Sequence, residues 1–230
     1  MSHASEANWK SISGETTKNR LAAVSGKSVR RQMQIKSSQI VAARTLSSDI
    51  KSQIKVRLMT DADFEKMSTF TCGVEELDNF FHIEVRECMQ RHYLAAYSVF
   101  IDSGEIVAAF TLMNDALMIR SESEKEDFID DLRFETTEDF VDFLNRQTSY
   151  PAINIGHLGT STRFQGLGIG TMVIDLVAET FAAHSQSGCQ FITVDALNNS
   201  ATTKFYCSNY FSFQTNRDMT SHTRRMYRIL

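Results

Sequence analysis

The stretch PAINIGHLGTSTRFQGLGIGTMVIDLVAETF, Pro151 to Phe181, reads as a buried strand that ends in a turn, crosses a glycine loop and enters a helix. Ile153, Ile155 and Leu158 lie in a short, mostly apolar run suited to a central strand. The period then changes, and Ile169, Met172, Val173, Leu176, Val177 and Phe181 mark one helical face. Between strand and helix sits Gln165-Gly166-Leu167-Gly168-Ile169-Gly170. Three glycines at alternate positions cost backbone entropy and weaken an ordinary helix start, which points to a main chain that must stay bare. Amides at a helix N-terminus that no side chain shields suit a phosphate, and the helix dipole helps. Spacing excludes two common phosphate loops. A P-loop needs Lys and Ser or Thr directly after its last glycine, where Thr171 and Met172 stand; the dinucleotide fingerprint, begun at Gly166, needs its third glycine at Thr171. A plain glycine-rich turn between strand and helix is the competing reading.

Upstream, Lys55 to Met59 alternates as a short strand, and Thr60 or Asp61 can cap a small helix after it. In FTCGVEELDNFFHIEVRECMQRHYLAAYSVFID, the spacing of Val74, Leu77, Phe81, Val85 and Cys88 or Met89 predicts a helix from Gly73 to about Arg91. Tyr93 to Ile101 and Ile106 to Met113 read as a hairpin turning at Ser103-Gly104. One or two amphipathic helices are expected over Ser121 to Arg146, with ten acidic residues between Glu122 and Asp142 against Lys125 and Arg133. That charge is either a solvated face or an attraction for a cationic substrate. Downstream, Gln190 to Leu197 is an apolar strand, Ser200 to about Ser208 a short helix, and Tyr210 to Gln214 and Arg224 to Leu230 are strands.

The 230 residues, 42% of them apolar, suffice for one generous domain. No run of 18 apolar residues and no signal-like N-terminal stretch occurs, so a soluble, cytoplasmic protein without a membrane partner is expected. Cys72, Cys88, Cys189 and Cys207 form no CxxC pair and the histidines are dispersed, so neither a metal site nor a disulfide framework is expected. The net charge of −4 hides an asymmetry: residues 1 to 54 hold nine Lys+Arg against three Asp+Glu (+6), which leaves fifteen against twenty-five (−10) for 55 to 230. The first 54 residues read as a basic leader, poorly structured with a helix allowed over Ser28 to Ile54, and either solvated or a docking arm for a partner. The rest reads as one domain, 55–230, with a helical acidic insertion at about 115–150.

The element order and Q-x-x-G-x-G from Gln165 to Gly170 resemble the GNAT superfamily of N-acetyltransferases. Asn199-Ser200-Ala201-Thr202-Thr203-Lys204-Phe205-Tyr206 is similar to that family's asparagine followed by an aromatic-tyrosine pair on a helix. FTCGVEELDNFF resembles the start of the GNAT toxins and their relatives, and SYPAINIGHLG with GCQFITVDALN resembles uncharacterised members with a long segment before the central strand. The resemblance covers about 55 to 230. It implies an α/β fold of α+β type: a mixed sheet of six to seven strands, splayed between strands 4 and 5, with helices on both faces and acetyl-CoA in the opening. Carried over by position, Leu158, Gly159 and Thr160 present backbone groups to the pantetheine arm and thioester carbonyl. Gln165, Gly166, Leu167, Gly168, Ile169, Gly170 and Thr171 hold the pyrophosphate, Asn199 touches the pantetheine, and Tyr206 protonates the departing thiolate. The competing role for Tyr206 is an aromatic packed on a short helix. Where the family has Gly-Phe after the tyrosine helix, this chain has Tyr210-Phe211.

The general base is less determined. His157 is the one near-neutral titrating group on the central strand. Strand alternation puts it with Ile153 and Ile155, opposite Asn154 and Leu158, where it is either a base or a buried structural histidine. A water relay or an acid from 115–150 are alternatives. The function implied is acetyl transfer from acetyl-CoA to a primary amine, small or on a protein. Two alternatives remain open: a toxin-type enzyme that acetylates aminoacyl-tRNA, its only nucleic-acid contact, and pairs with a small antitoxin, or a CoA-binding module without turnover. A homodimer through the terminal strands or the 115–150 segment is a further expectation.

Overall fold

In a computed structural model the described residues are 53–133, 137–183 and 187–230. They fall into two compact units: 53–128 with 147–230, and 129–146. The leader and its allowed helix lie outside the described residues, apart from Gln53 and Ile54.

The larger unit is built on one seven-stranded mixed sheet of order β1-β2-β3-β4-β5-β7-β6. The strands are β1 Lys55–Leu58, β2 Ala95–Phe100, β3 Ile106–Met118, β4 Ser149–Thr160, β5 Phe191–Leu197, β6 Ser212–Phe213 and β7 Thr223–Ile229. All neighbours are antiparallel except β4 and β5. β3 is longer than its hydrophobic pattern predicts, because Asn114 and Asp115 continue the ladder onto Ile153 and Ala152. Pairing supplies the extension where alternation is lost.

The first helices are α1 Asp61–Met67, α2 Glu75–Asn79, a π-helical turn Phe80–Glu84 and α3 Val85–Gln90. Thr60 opens α1, its amide and hydroxyl donating to the Asp63 carboxylate at 2.9 and 2.8 Å, a reciprocal cap. The predicted Gly73-to-Arg91 helix is one rod with a π-turn in its middle, and that turn brings both Phe80 and Phe81 inward. α4 Glu122–Arg133 and α5 Glu138–Asn145 follow β3; in the 129–146 unit, Val141 and Leu144 of α5 are buried. α6 Ile169–Ala183 follows β4, and α7 Ser200–Ser208 follows β5.

Two cores lie against the sheet of the larger unit. One gathers Val99, Ala108, Phe110, Ile153, Ile155, Val194 and Ala196 with Ile169, Val173, Ile174 and Val177 of α6 and Tyr206 of α7. The other gathers Met67, Phe70, Cys72, Phe80, Phe81, Val85, Ala96 and Ala109. Because Ala108 and Phe110 enter the first and Ala109 the second, they occupy opposite faces. Each aliphatic side chain fully buried this way contributes about 1.5–3 kcal/mol. On α6 the sequence pattern is right at Ile169, Val173 and Val177, but Ile174 is buried where Leu176 was expected, and Leu176 is exposed.

Two junctions correct the local pattern. Leu112 pairs with Ile155 and Thr111 with His157, so Gly156 is an extra residue in β4, a β-bulge. The bulge moves His157 off the face of Ile155 and onto that of Thr111 and Asn154, against the expected assignment. After α7, Tyr210 holds φ +67, the left-handed conformation in which glycine is cheap and tyrosine is not.

Candidate active site

The β4–β5 ladder has three rungs, Ala152↔Phe191, Ile153↔Ile192 and Asn154↔Thr193. β4 runs on to Thr160 and β5 to Leu197 without further pairing, so the sheet opens into a wedge above Asn154. Leu158, Gly159 and Thr160 pair with Phe110, Ala109 and Ala108 on the β3 side, and their other edge borders the wedge. Gly159 is glycine for a packing reason: a Cβ there would stand 3.3 Å from both Cys72 Cβ and Phe81 Cε2.

The glycine loop follows at the end of β4. Gly166 and Gly168 have φ of +75 and +81, and a Cβ at either would meet nothing within 4 Å. They are demanded by backbone conformation, and the space beside them is free. Gly170 differs, since a Cβ there would lie 2.9 Å from Phe205 Cζ; it lets α7 approach the first turn of α6. Among the described residues, the amides of Gln165, Gly166, Leu167, Gly168, Ile169, Gly170 and Thr171 donate to no protein acceptor outside the regular helix bonds. These seven amides at a helix start are donors that an anion fits.

The Gln165 side chain has another task. Its Nε2 donates to Cys72 O at 2.7 Å and to Thr160 O at 3.1 Å, pinning the loop to the end of β4 and to the Thr71–Gly73 turn. That turn is itself held by Asp78, whose carboxylate accepts from the Cys72 amide (2.7 Å) and the Thr71 hydroxyl (2.6 Å). These bonds explain the Cys-Gly and Leu-Asp pairs of FTCGVEELDNFF: they brace the loop from outside.

Asn199 caps α7, its Oδ1 accepting from the Thr202 amide at 2.9 Å; only its Nδ2 remains for a ligand. Tyr206 sits among Phe205 and Phe211, edge to face at 5.1 and 5.2 Å, and is 8% exposed. Burial pushes its phenol well above the ordinary value, so it stays protonated at neutral pH. Among the described residues its hydroxyl has no protein hydrogen-bond partner.

His157 stacks on Phe80 with ring centres 3.4 Å apart, and its Nδ1 lies 3.1 Å from Thr111 Oγ1. Burial lowers its pKa to about 4, with Glu76 pulling weakly the other way. It is therefore neutral at pH 7 but a feeble base. On the same face a network links four strands. Arg225 on β7 pairs with Asp115 on β3 and, at 2.6 Å, with Asp195 on β5; the Thr193 hydroxyl donates to Asp115, and Asn154 Nδ2 donates to Thr193 Oγ1 at 3.1 Å. The sequence reading passed over these residues. The available signal was an aspartate inside the apolar run FITVDAL.

A separate cleft of about 240 Å³ lies by Lys66, Thr71, Glu105 and Arg163; its lining includes neither Tyr206 nor residues 165–171. Among the described residues no His, Cys, Asp or Glu cluster with metal-binding geometry occurs, and no helix is long and apolar enough to cross a membrane.

The sequence matches no family model and no curated protein. Solved structures do match. A tyrosine-to-phenylalanine mutant of KacT aligns over 77% of this chain and 95% of its own at 18% identity and a TM-score of 0.58. A comparable AtaT mutant toxin, bound to the C-terminus of the antitoxin AtaR and acetyl-CoA, aligns over 77% and 93% at 19% and 0.56. AtaT complexed with acetyl-methionyl-tRNAfMet aligns over 75% and 93% at 20% and 0.54. The likeness to these toxin acetyltransferases, together with the wedge between two parallel strands of a mixed sheet, establishes that the chain has the GNAT fold.

Proposed function

We propose that the chain is an acetyltransferase that uses acetyl-CoA to acetylate a primary amine. The observation that carries this reading is the set of unpaired amides from Gln165 to Thr171, set at the mouth of a sheet already split to admit a linear arm. Those amides hold the pyrophosphate, the wedge edge of Leu158 to Thr160 aligns the pantetheine and the thioester carbonyl, and Asn199 Nδ2 contributes from the β5 side. Acetyl-CoA supplies an acyl carbon already activated as a thioester. Tyr206 donates its phenolic proton to the leaving sulfur, a task for which burial keeps it protonated. His157 serves as a packed, neutral histidine: its ring is stacked on Phe80 and its basicity is spent against burial. The ammonium first loses a proton to water; the free amine attacks the thioester carbon, and collapse of the tetrahedral intermediate breaks the C–S bond while the second nitrogen proton leaves through water.

Calorimetry with acetyl-CoA and a thiol-release assay test this. Tyr206→Phe is expected to leave acetyl-CoA affinity unchanged and to lower turnover by about 10²–10⁴-fold. Absence of acetyl-CoA binding to the wild type would overturn the proposal, and binding without turnover on any amine would favour a CoA-binding module.

A second reading concerns the acceptor: the amine is that of an aminoacyl-tRNA, and the chain is a toxin with a small antitoxin. The likeness to AtaT complexed with acetyl-methionyl-tRNAfMet and to toxins bound to AtaR favours it. The charge of −10 over residues 55 to 230 argues against a wide RNA footprint on the body and leaves that work to the basic leader. Growth arrest on expression, relieved by Tyr206→Phe, with acetylation of charged tRNA in vitro, is the expected outcome; harmless expression counts against it.

A further inference from the structure

The face of the wedge from which the acceptor enters follows from the packing. One face is closed by α6, α7 and the core that includes Ile155, Val194, Ala196, Tyr206 and Phe211. On the other, the face of Thr111, Asn154, Thr193 and His157, the second core gathers residues from Met59 to Ala109 and takes none from β5 or β7, which leaves the β5 side of the wedge for the nucleophile. Below the wedge that face is filled by Phe128, Tyr150, Phe191 and Tyr227, ring against ring at 5.2–5.9 Å. Polar groups begin at the last rung, Asn154↔Thr193.

Asp195 is two residues past that rung, so its side chain lies on the entry face, where β5 has already left β4. Arg225, its partner in the β5–β7 register, bonds both Asp195 and Asp115. Two carboxylates against one guanidinium leave one negative charge. That charge is not evenly displayed, since the Asp115 and Arg225 side chains are 22% exposed and Asp195 is 52% exposed. On β4, the same face carries the Gly156 bulge, with the Met113 side chain packed against it, and the neutral His157. Glu76, 3.3 Å from His222, adds a carboxylate at the rim.

We infer that Asp195 is the anchor for the acceptor and selects a cationic primary ammonium, with Arg225 and Asp115 as positioning residues that hold the carboxylate toward the wedge. The inference rests on the acetyltransferase reading and adds the substrate's charge and the residue that recognises it. An ammonium at this point donates to Asp195 from the entry face, so the nitrogen is oriented before it loses its proton. Arg225 holds the Asp195 carboxylate at 2.6 Å from the neighbouring strand, which fixes its position beside the wedge. An anionic acceptor meets an unbalanced negative charge, and an uncharged one gains no ion pair there.

The test uses the full chain and a panel of methionyl-tRNA, spermidine and tyramine, with acetyl-CoA. Asp195→Asn is expected to lower kcat/KM for the amine about 10- to 100-fold through KM, with KM for acetyl-CoA unchanged, and Asp195→Glu to recover part of the loss. Unchanged amine kinetics in Asp195→Asn overturn the inference while leaving the acetyltransferase reading intact; loss of acetyl-CoA binding in the wild type overturns that reading instead. If no panel amine is turned over, methylammonium is titrated into the CoA complex and followed by NMR. Shifts at Asp195 and Gly156 that vanish in Asp195→Asn support the anchor, and their absence overturns it.

Discussion

Two parallel strands leave this sheet side by side, and each feeds a helix, but the two helix starts are finished differently. After β5, Asn199 turns back and caps the first turn of α7 with its own side chain. After β4, the start of α6 has no such residue: Gly166 and Gly168 hold left-handed conformations in open space and the amides stay unpaired. A protein able to cap one start with an ordinary asparagine leaves the other to be completed by something else. The difference is what favours the β4–α6 junction as the proposed pyrophosphate site, while the β5–α7 junction is a helix start already capped from within the chain.

The largest expected effect comes from making the two junctions alike. Gly168→Val places a β-branched side chain at φ +81 and shields the loop amides, so acetyl-CoA affinity measured by calorimetry is expected to fall about 100-fold, the loss of one or two charge-assisted bonds. An unchanged affinity would erase the distinction between the junctions. Next comes β4 itself, where the bulge buries His157 against Phe80. With the folded pKa near 4 and the unfolded one near 6.5, the unfolded chain binds more protons between these values. Stability is therefore full above about pH 6.5 and is lost as pH falls toward 4, by roughly 2 kcal/mol after allowing for partial exposure. Urea unfolding at pH 7 and pH 4.5 checks this, and His157→Gln is expected to flatten the difference.

On the scaffold side, Asn199→Ala is expected to cost about 1 kcal/mol in urea unfolding while affinity for inorganic pyrophosphate at the loop is kept. A larger loss of pyrophosphate affinity than of stability would move the scaffold junction into the binding site. The smallest effect lies at the far end of α7. Tyr210→Gly relieves the φ of +67 but gives up the Arg228 guanidinium 5.4 Å from the tyrosine ring, for a net gain of about 0.5 kcal/mol seen as a small rise in Tm.

Much of the fold was legible because its signals are local. The β4–loop–α6 unit, the hairpin at Ser103-Gly104, the Thr60 start of α1 and the α7 helix each declare themselves within a few residues, by period, glycine or cap. Of the candidate site, the sequence showed the glycine loop between strand and helix, and it did not show what each side chain there bonds. Gln165 was placed as a phosphate ligand, yet its side chain is a strut to Cys72 and Thr160. Asn199 is committed through Oδ1 to its own helix. His157 was put on the wrong face, because a bulge adds one residue without altering the hydrophobic pattern that alternation reads.

The amino-acid sequence by itself determined which segment would expose its amides, since left-handed glycines and an uncapped helix start are properties of neighbouring residues. Only the tertiary structure decided that Gly170 is needed for Phe205, that the sheet parts above Asn154, and that Asp115, Asp195 and Arg225 meet. Those associations join residues up to 110 positions apart and depend on strand order and register. A periodicity of two or 3.6 carries no information about them, because it reports which face a residue occupies and not which strand lies beside it.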